Sequence, residues 1–280
     1  MLRDGALVVK RARARVEPTM ASLERRVAID AAQAAGRLLR SELQGPRRIA
    51  YKGTPTNLVT EMDARAEELI VGRLAAAFPD DGVLAEERGA AGGRSGRRWI
   101  IDPLDGTTNY AHGVPLFAVS IGLEVGGRVE LGVVADPNLD ELYVAERGRG
   151  ATLNAQPLAV SATTTLDESL LATGFPYDIR ETDDNNLREY AAFSVRARAV
   201  RRMGSAVLYL AWLAAGRLDG YWELRLGAWD VAAGSLLIAE AGGRVTDLVG
   251  GPLDLETPAV VASNGRIHDA LLAVLKEIRG

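Results

Sequence analysis

Asp102 and Asp105 sit in the segment Trp99-Ile-Ile-Asp102-Pro-Leu-Asp105-Gly-Thr107-Thr-Asn-Tyr110, where the chain concentrates its chemistry. Ile100 and Ile101 bring a buried strand to its end. Two carboxylates follow, divided by a proline that stiffens the turn and removes a backbone donor. Gly106 permits a sharp bend, and Thr107-Thr108 is expected to cap a helix beginning there. Carboxylates suit hard cations such as magnesium, and the free N–H groups of a helix start suit phosphate. One short segment thus offers both halves of a metal-assisted phosphate site.

Two further acids stand at element boundaries, Glu86 after Val83-Leu84 and Asp230 in Trp229-Asp230-Val-Ala-Ala-Gly234. Each alone has a plainer explanation. Asp102 and Asp105 could serve a turn and a cap, Asp230 a helix N-cap, and Glu86-Glu87 a solvated pair. Asp63 fits a capping role by itself, and His112 and His268 read as structural or surface residues. Brought together, the four carboxylates would repel and raise one another's pKa unless divalent cations neutralised them.

The elements that must position these groups read as α/β. Ser22 to Arg40 has helical spacing, closed by Gly45-Pro46. Lys52 to Leu58 is a loop. Thr60 with Asp63 three residues on resembles a capping box, and Phe78-Pro79 stops the helix it begins. Ala90 to Arg97 is rich in glycine. Phe117–Glu124 and Arg128–Ala135 flank Gly126-Gly127, a hairpin turn. Leu142–Ala145 and Leu158–Ser161 read as further strands. Beyond about residue 165, candidate strands at Leu170–Ala172 and Val200–Met203 alternate with candidate helices at Ser205–Ala215, Ala232–Ala241 and Ile267–Ile278. Asp230 is placed at the N-cap of the second of these helices. The expected organisation is a basic extension over 1–19, an α+β subdomain over 20–160 carrying most of the acids, and an α/β subdomain over 161–280.

Composition narrows the chemistry. The 280 residues are 48% hydrophobic and 25% charged, with a net charge of -4, so no global basic field argues for nucleic acid. There is no cysteine and there are only two histidines, which excludes thiolate catalysis and leaves oxygen ligands. The apolar run from Ala206 to Ala215 is too short for a bilayer, and the basic start around Arg3, Lys10, Arg11, Arg13 and Arg15 lacks a signal-peptide pattern. A cytoplasmic protein is expected, and Met20 is a possible natural start.

In this order the segments resemble the inositol monophosphatase family of magnesium-dependent, lithium-sensitive phosphatases. The resemblance runs from Lys52 to about Arg266. Asp102-Pro-Leu-Asp-Gly-Thr-Thr-Asn109 is close to the family signature, and Trp229–Gly234 with Glu240-Ala-Gly-Gly243 resembles the second. Ala85-Glu86-Glu87 resembles a Gly-Glu-Glu element, with alanine for the usual glycine, and Leu58-Val59-Thr60 leads to Asp63 as in the family. Tyr110 stands where phenylalanine is commoner.

The resemblance implies a layered αβαβα sandwich, usually a homodimer, and two or three magnesium ions per site. Glu86, Asp102 and the Leu104 carbonyl would hold one ion, and Asp102, Asp105 and Asp230 another. Thr107, oriented by Asp63, would help deprotonate the attacking water. Phosphate would rest on the N–H groups of Gly106 and Thr107. Lys52 matches a lysine of a mobile loop, Ala206 and Glu223 match positions that meet substrate hydroxyls, and Leu171–Tyr177 lies near the substrate mouth. The implied activity is hydrolysis of a small phosphate monoester, foremost myo-inositol monophosphate. Alternatives on the same fold are fructose-1,6-bisphosphatase, histidinol-phosphate phosphatase and nucleotide 3′-phosphatase. A regulatory protein binding RNA-processing or transcription machinery is a further alternative, using the basic extension and Arg196, Arg198, Arg201 and Arg202.

Overall fold

The computed structural model describes residues 22–280 apart from residues 47 and 53, so the basic extension expected over 1–19 lies outside the described residues. Helix α1 (Leu23–Glu42) begins where Ser22 Oγ accepts the Arg25 N–H, and an alanine-rich stripe from Ala28 to Ala35 buries one of its faces. A short antiparallel pair follows, β1 (Ile49–Tyr51) and β2 (Leu58–Thr60), at the ends of the segment read as a loop. Thr60 then caps α2 (Glu61–Ala77) in the capping box read from the sequence, with Asp63 at its third position.

An eight-stranded sheet forms from β3 (Gly82–Ala85), β4 (Gly89–Ala91), β5 (Arg97–Asp105), β6 (Ala118–Val125), β7 (Arg128–Asp136), β8 (Glu141–Glu146), β9 (Ala151–Leu153) and β10 (Gln156–Pro157). Its spatial order is β10-β9-β8-β7-β6-β5-β3-β4. Only the β3–β5 pairing is parallel. Gly126 and Gly127 both take positive φ (57° and 78°) in the β6–β7 hairpin, the geometry that glycine adopts without a Cβ penalty. The five-residue helix α3 (Thr107–Ala111) separates β5 from β6.

The second half builds a five-stranded sheet, β12-β11-β13-β15-β14. Its elements in chain order are β11 (Leu170–Thr173), α4 (Leu187–Ser194), β12 (Ala199–Arg201), α5 (Ala206–Ala214), β13 (Gly220–Glu223), α6 (Ala228–Glu240), β14 (Arg244–Thr246), β15 (Val260–Ser263) and α7 (His268–Arg279). Helices α1 and α2 pack on one face of the large sheet, α5 and α6 fill the space between the sheets, and α4 and α7 cover the far face of the small one. The layers therefore run αβαβα, as the resemblance implied. Alternation along β5 shows how the layers are sealed. Trp99 and Ile101 enter the cluster with α1 and α2, while Ile100 enters the cluster with α5 and α6.

Three expectations need correction. Leu158–Ser161 is not a strand. After Pro157 it is the crossover between the sheets, with single hydrogen bonds from Leu158 N–H to Ala151 and from Val160 N–H to Ala241. Its apolar residues, Leu158 and Val160, pack against the central layer rather than pairing in a ladder. Helix α6 starts at Ala228, not Ala232, so Asp230 is a third-position residue and Gly227 is the cap. At α3 the cap is Gly106, in a left-handed conformation (φ 96°), while the Thr107 hydroxyl turns back toward Asp63 and Leu104. Among the described residues no helix is long and apolar enough to cross a membrane.

Candidate active site

Asp102 and Asp105 are three residues apart, so on a regular strand their side chains would point to opposite faces. The register corrects this. Asp102 faces Ser120 and Asp105 faces Ala118, so β5 carries one extra residue between them. Pro103, which has no N–H to lose, falls in that bulge. Leu104 consequently joins the cluster under α1 and α2, and Asp105 returns to the α6 side with Asp102. The Leu104 N–H donates to Asp102 Oδ1 at 3.0 Å and fixes that carboxylate over the kink.

Asp230 arrives from the first turn of α6, where its Oδ2 accepts the Gly227 N–H at 2.5 Å. One carboxylate oxygen from each of Asp102, Asp105 and Asp230 lies within 4.8 Å of the others. At that separation two ionised carboxylates repel by about 3 kcal/mol for an effective dielectric near 20. All three carboxyls are pushed up, by burial first. For Asp102 the cause is burial first, then the charges of Glu86, Asp105 and Asp230. For Asp230 it is burial, then Asp105 and Glu86. Asp105 is raised by burial and restrained by hydrogen bonds, from Ser205 Oγ (2.6 Å) and Val207 N–H (2.7 Å) to its Oδ2.

Glu86 follows β3 directly, its N–H held by the Ile101 carbonyl at 3.2 Å. Ala85, in place of glycine, is fully buried without disturbing this pairing. The Glu86 carboxyl is pushed up to about 7 by burial, against the pull of Lys52. Lys52 Nζ lies 3.0 Å from Glu86 Oε1 and also pairs with Glu87. The β1–β2 loop thus lays a cation beside the acidic cluster. Behind it Glu67 accepts the N–H groups of Glu87 (2.8 Å) and Arg88 (3.1 Å), fixing the backbone after Glu86.

Thr107 Oγ1 faces Asp63 Oδ1 at 2.9 Å and the Leu104 carbonyl at 3.0 Å. Asp63 is immobile, because its Oδ2 accepts both the N–H (2.8 Å) and the hydroxyl (2.7 Å) of Thr60. Burial raises its pKa. A hydroxyl has one proton to give, so Thr107 keeps lone pairs with which to accept another. Gly106 beside it must be glycine: a Cβ would lie 2.8 Å from the Leu116 carbonyl, at a φ that side chains avoid.

Glu223 ends β13 and receives the Tyr221 hydroxyl, and burial pushes its carboxyl up to about 7. Gly174 passes so close that a Cβ there would lie 2.0 Å from Glu223 Oε1. Ala206 opens α5, next to Ser205. Sequence reasoning did not single out Ser205, although a serine before an apolar run is an N-cap signal. Tyr177 was named only as the end of a segment. Tyr177 is exposed as a whole residue, yet its phenol is pushed up, by desolvation first and then by the charges of Glu86, Asp230, Asp105 and Asp102, so it lies in their field. Thr56 Oγ1 donates to the Tyr177 carbonyl and links the Lys52 loop to this segment. The arginines are divided: Arg196 pairs with Glu277 (2.6 Å), and the Arg202 guanidinium stacks 4.8 Å from the Phe175 ring centre.

A donor set of carboxylate oxygens without nitrogen or sulfur suits a hard divalent cation, and clustered acids with raised pKa values lack the positive charge such a cation brings. The residues fit a metal. A sequence model of the inositol monophosphatase family matches residues 22–279. The chain belongs to the inositol monophosphatase family. It is a phosphatase, and its family is metal-dependent. An inositol-1-monophosphatase of Mesorhizobium japonicum is 47% identical over 255 residues, covering 90% of this chain and 95% of that protein. The Nus factor SuhB of Pseudomonas aeruginosa is 42% identical, covering 89% and 94%. A solved inositol monophosphatase from Anabaena superposes with a TM-score of 0.83 at 44% identity, covering 90% of this chain and 95% of the other.

Proposed function

We propose that this family member hydrolyses myo-inositol monophosphate to inositol and inorganic phosphate. The observation that carries the metal-assisted reading is the convergence of Asp102, Asp105 and Asp230 from two separate segments onto one point. Glu86, Asp102 and the Leu104 carbonyl would hold one magnesium, and Asp102, Asp105 and Asp230 a second, in a site of two or three ions. Bound magnesium would supply Lewis acidity toward the phosphoryl oxygens and make water easier to deprotonate.

The remaining work falls to the chain. Thr107 Oγ1 accepts a proton from the attacking water as its own hydroxyl proton passes to Asp63 Oδ1. Burial makes that carboxylate a stronger acceptor than an exposed aspartate. Water oxygen bonds to phosphorus, the ester P–O bond breaks, and the inositol oxygen leaves with the bonding pair and takes up a proton from solvent. The N–H groups of Gly106 and Thr107 hold the phosphate, Ala206 and Glu223 meet the ring hydroxyls, and Lys52 closes over the anion. A carboxylate at Glu223 favours hydroxyls over a second phosphate, and hence a monophosphate. The names of the Mesorhizobium and Anabaena proteins support the same substrate. Lithium sensitivity, a homodimer and a cytoplasmic location belong to this reading. The test is a magnesium-dependent panel of inositol 1-phosphate, fructose 1,6-bisphosphate, histidinol phosphate and a nucleoside 3′-phosphate. Turnover of inositol 1-phosphate a hundredfold slower than another member overturns the choice.

The name of the Pseudomonas relative favours a second reading, a transcription-associated binding role beside the phosphatase. Reversing the charge of Arg198 and Arg201, with phosphatase activity intact, tests it by loss or retention of a captured partner.

A further inference from the structure

Tyr209, in the first turns of α5, takes no part in the chemistry above, yet its hydroxyl reaches back into the site. The ring is buried against Tyr221, with 5.7 Å between centroids. Its oxygen accepts the backbone N–H groups of Met203 and of Gly204 (3.1 Å). From the other side Asn109 Nδ2 donates to the Met203 carbonyl at 2.8 Å and to the Leu116 carbonyl at 3.0 Å. The two residues before Ser205 are therefore clamped between α3 and α5.

Ser205 needs that clamp. It has φ 69° and ψ 88°, in a left-handed region unfavourable for a residue with a Cβ, and such a conformation persists only where its surroundings enforce it. In it Ser205 Oγ accepts the Leu208 N–H (3.1 Å) and donates to Asp105 Oδ2 (2.6 Å). The adjacent Val207 N–H grips the same oxygen at 2.7 Å. Asp105 is thus aimed by the start of α5, and the start of α5 is held by Tyr209.

We propose that Tyr209 is a positioning residue of the phosphatase site: its hydroxyl holds Met203 and Gly204 so that Ser205 keeps Asp105 turned toward Asp102 and Asp230. This rests on Asp105 being a metal ligand. Removing the hydroxyl strands two N–H groups, and the segment relaxes by letting Ser205 leave its strained conformation.

The test uses the full chain and Tyr209→Phe, which keeps the ring. Mn2+ affinity is measured calorimetrically without substrate, kcat and KM with magnesium and inositol 1-phosphate, and the melting temperature without metal. The expected result is a loss of about tenfold in Mn2+ affinity and in kcat, the scale for groups that orient a ligand, with KM nearly unchanged. In a Ser205→Ala background the Tyr209→Phe change is expected to add almost nothing, because both act through one hydrogen bond. A lowered melting temperature with unchanged Mn2+ affinity and kcat, or full additivity with Ser205→Ala, overturns the proposal. Asp105→Asn separates the premise: if that variant binds Mn2+ like the parent, the ligand reading fails and the positioning role fails with it. If Asp105→Asn loses affinity while Tyr209→Phe does not, only the positioning role fails.

Discussion

Lowering the pH should loosen magnesium from the acidic cluster far more steeply than ordinary carboxylates allow. Free aspartate and glutamate are ionised above about pH 5, so a site of unperturbed carboxylates would bind metal equally well at pH 6 and pH 8. Here Glu86 is pushed up to about 7, and Asp102 and Asp230 are held well above their usual range. Metal requires the ionised forms, so protons must leave as it binds. Glu86 alone is roughly nine-tenths protonated at pH 6 and one-tenth at pH 8, which weakens apparent affinity about tenfold over that interval. Asp102 and Asp230 steepen the dependence further.

Titration calorimetry with Mg2+ at pH 6, 7 and 8, in two buffers of different ionisation enthalpy, reads both affinity and protons released. At pH 7 more than half a proton per site should leave. The metal-free protein should follow the complementary trend. Glu86 is raised above its unfolded value of 4.5, so between pH 4.5 and 7 the folded state holds a proton that the unfolded chain has lost. Its contribution is fully present below 4.5 and disappears as pH rises through 7, a loss of up to about 3 kcal/mol that saturating magnesium should offset. A metal affinity that is flat from pH 6 to 8, with equal heats in both buffers, refutes the idea that these carboxylates hold the ion.

Other outcomes are expected from single residues. Asp105→Asn keeps the shape but removes a ligand charge, and should cut kcat at least about a hundredfold with the far-ultraviolet circular dichroism unchanged; near-normal turnover contradicts the site. Gly174→Ala drives a Cβ against Glu223, and should cost about 1–3 kcal/mol by denaturant unfolding and raise KM for inositol 1-phosphate. Parent-like KM there removes Glu223 from substrate recognition. His268 is buried between Ser263 (2.9 Å to Nδ1) and Thr246 (3.0 Å to Nε2), and burial with the nearby Arg244 pushes its pKa down to about 4. Between pH 6.5 and 4 only the unfolded chain takes up that proton, so the contribution of His268, about 3 kcal/mol, is lost across the window, opposite in sign to that of Glu86 in the metal-free protein. His268→Gln should flatten that slope, and an unaltered slope would assign the acid loss elsewhere.

Much of the site could be read from the sequence because local chemistry fixed it. Thr60 and Asp63 form their capping box within one turn, and Gly126-Gly127 closes its hairpin wherever the flanking strands lie. The layered fold came through family resemblance rather than periodicity, and in the second half β13, β14, β15 and α4 were not read at all. Errors arose where tertiary contacts override local pattern. The alternating apolar residues of Leu158–Ser161 looked like a strand, yet each only fills the central layer as the chain crosses between sheets. Read from the sequence, the helix starts at Ala232 with Asp230 as its N-cap, whereas Asp230, accepting the Gly227 N–H, lies inside the first turn of α6.

The least legible feature is the one that makes the acids a site. Asp102 and Asp105 are obvious as residues, but their three-residue spacing on a strand predicts divergence, not convergence. Convergence depends on a single added residue between two ladder pairs, visible only once Ser120 and Ala118 are known to be their partners. The same bulge sends Leu104 into the packing under α1 and α2, so burying that leucine helps to hold the kink against repulsion between the carboxylates. On the opposite side α5 holds Asp105 through Ser205 and Val207, and α6 holds Asp230 through Gly227. The acids are therefore constrained before any cation arrives, by apolar packing beneath and by helix-start donors above. Replacing Leu104 with alanine should for this reason weaken metal affinity as well as stability, although its side chain touches neither ion nor substrate. Calorimetric Mn2+ binding unchanged in Leu104→Ala, with stability lowered by about 2–5 kcal/mol, would show that the bulge stands without its apolar anchor.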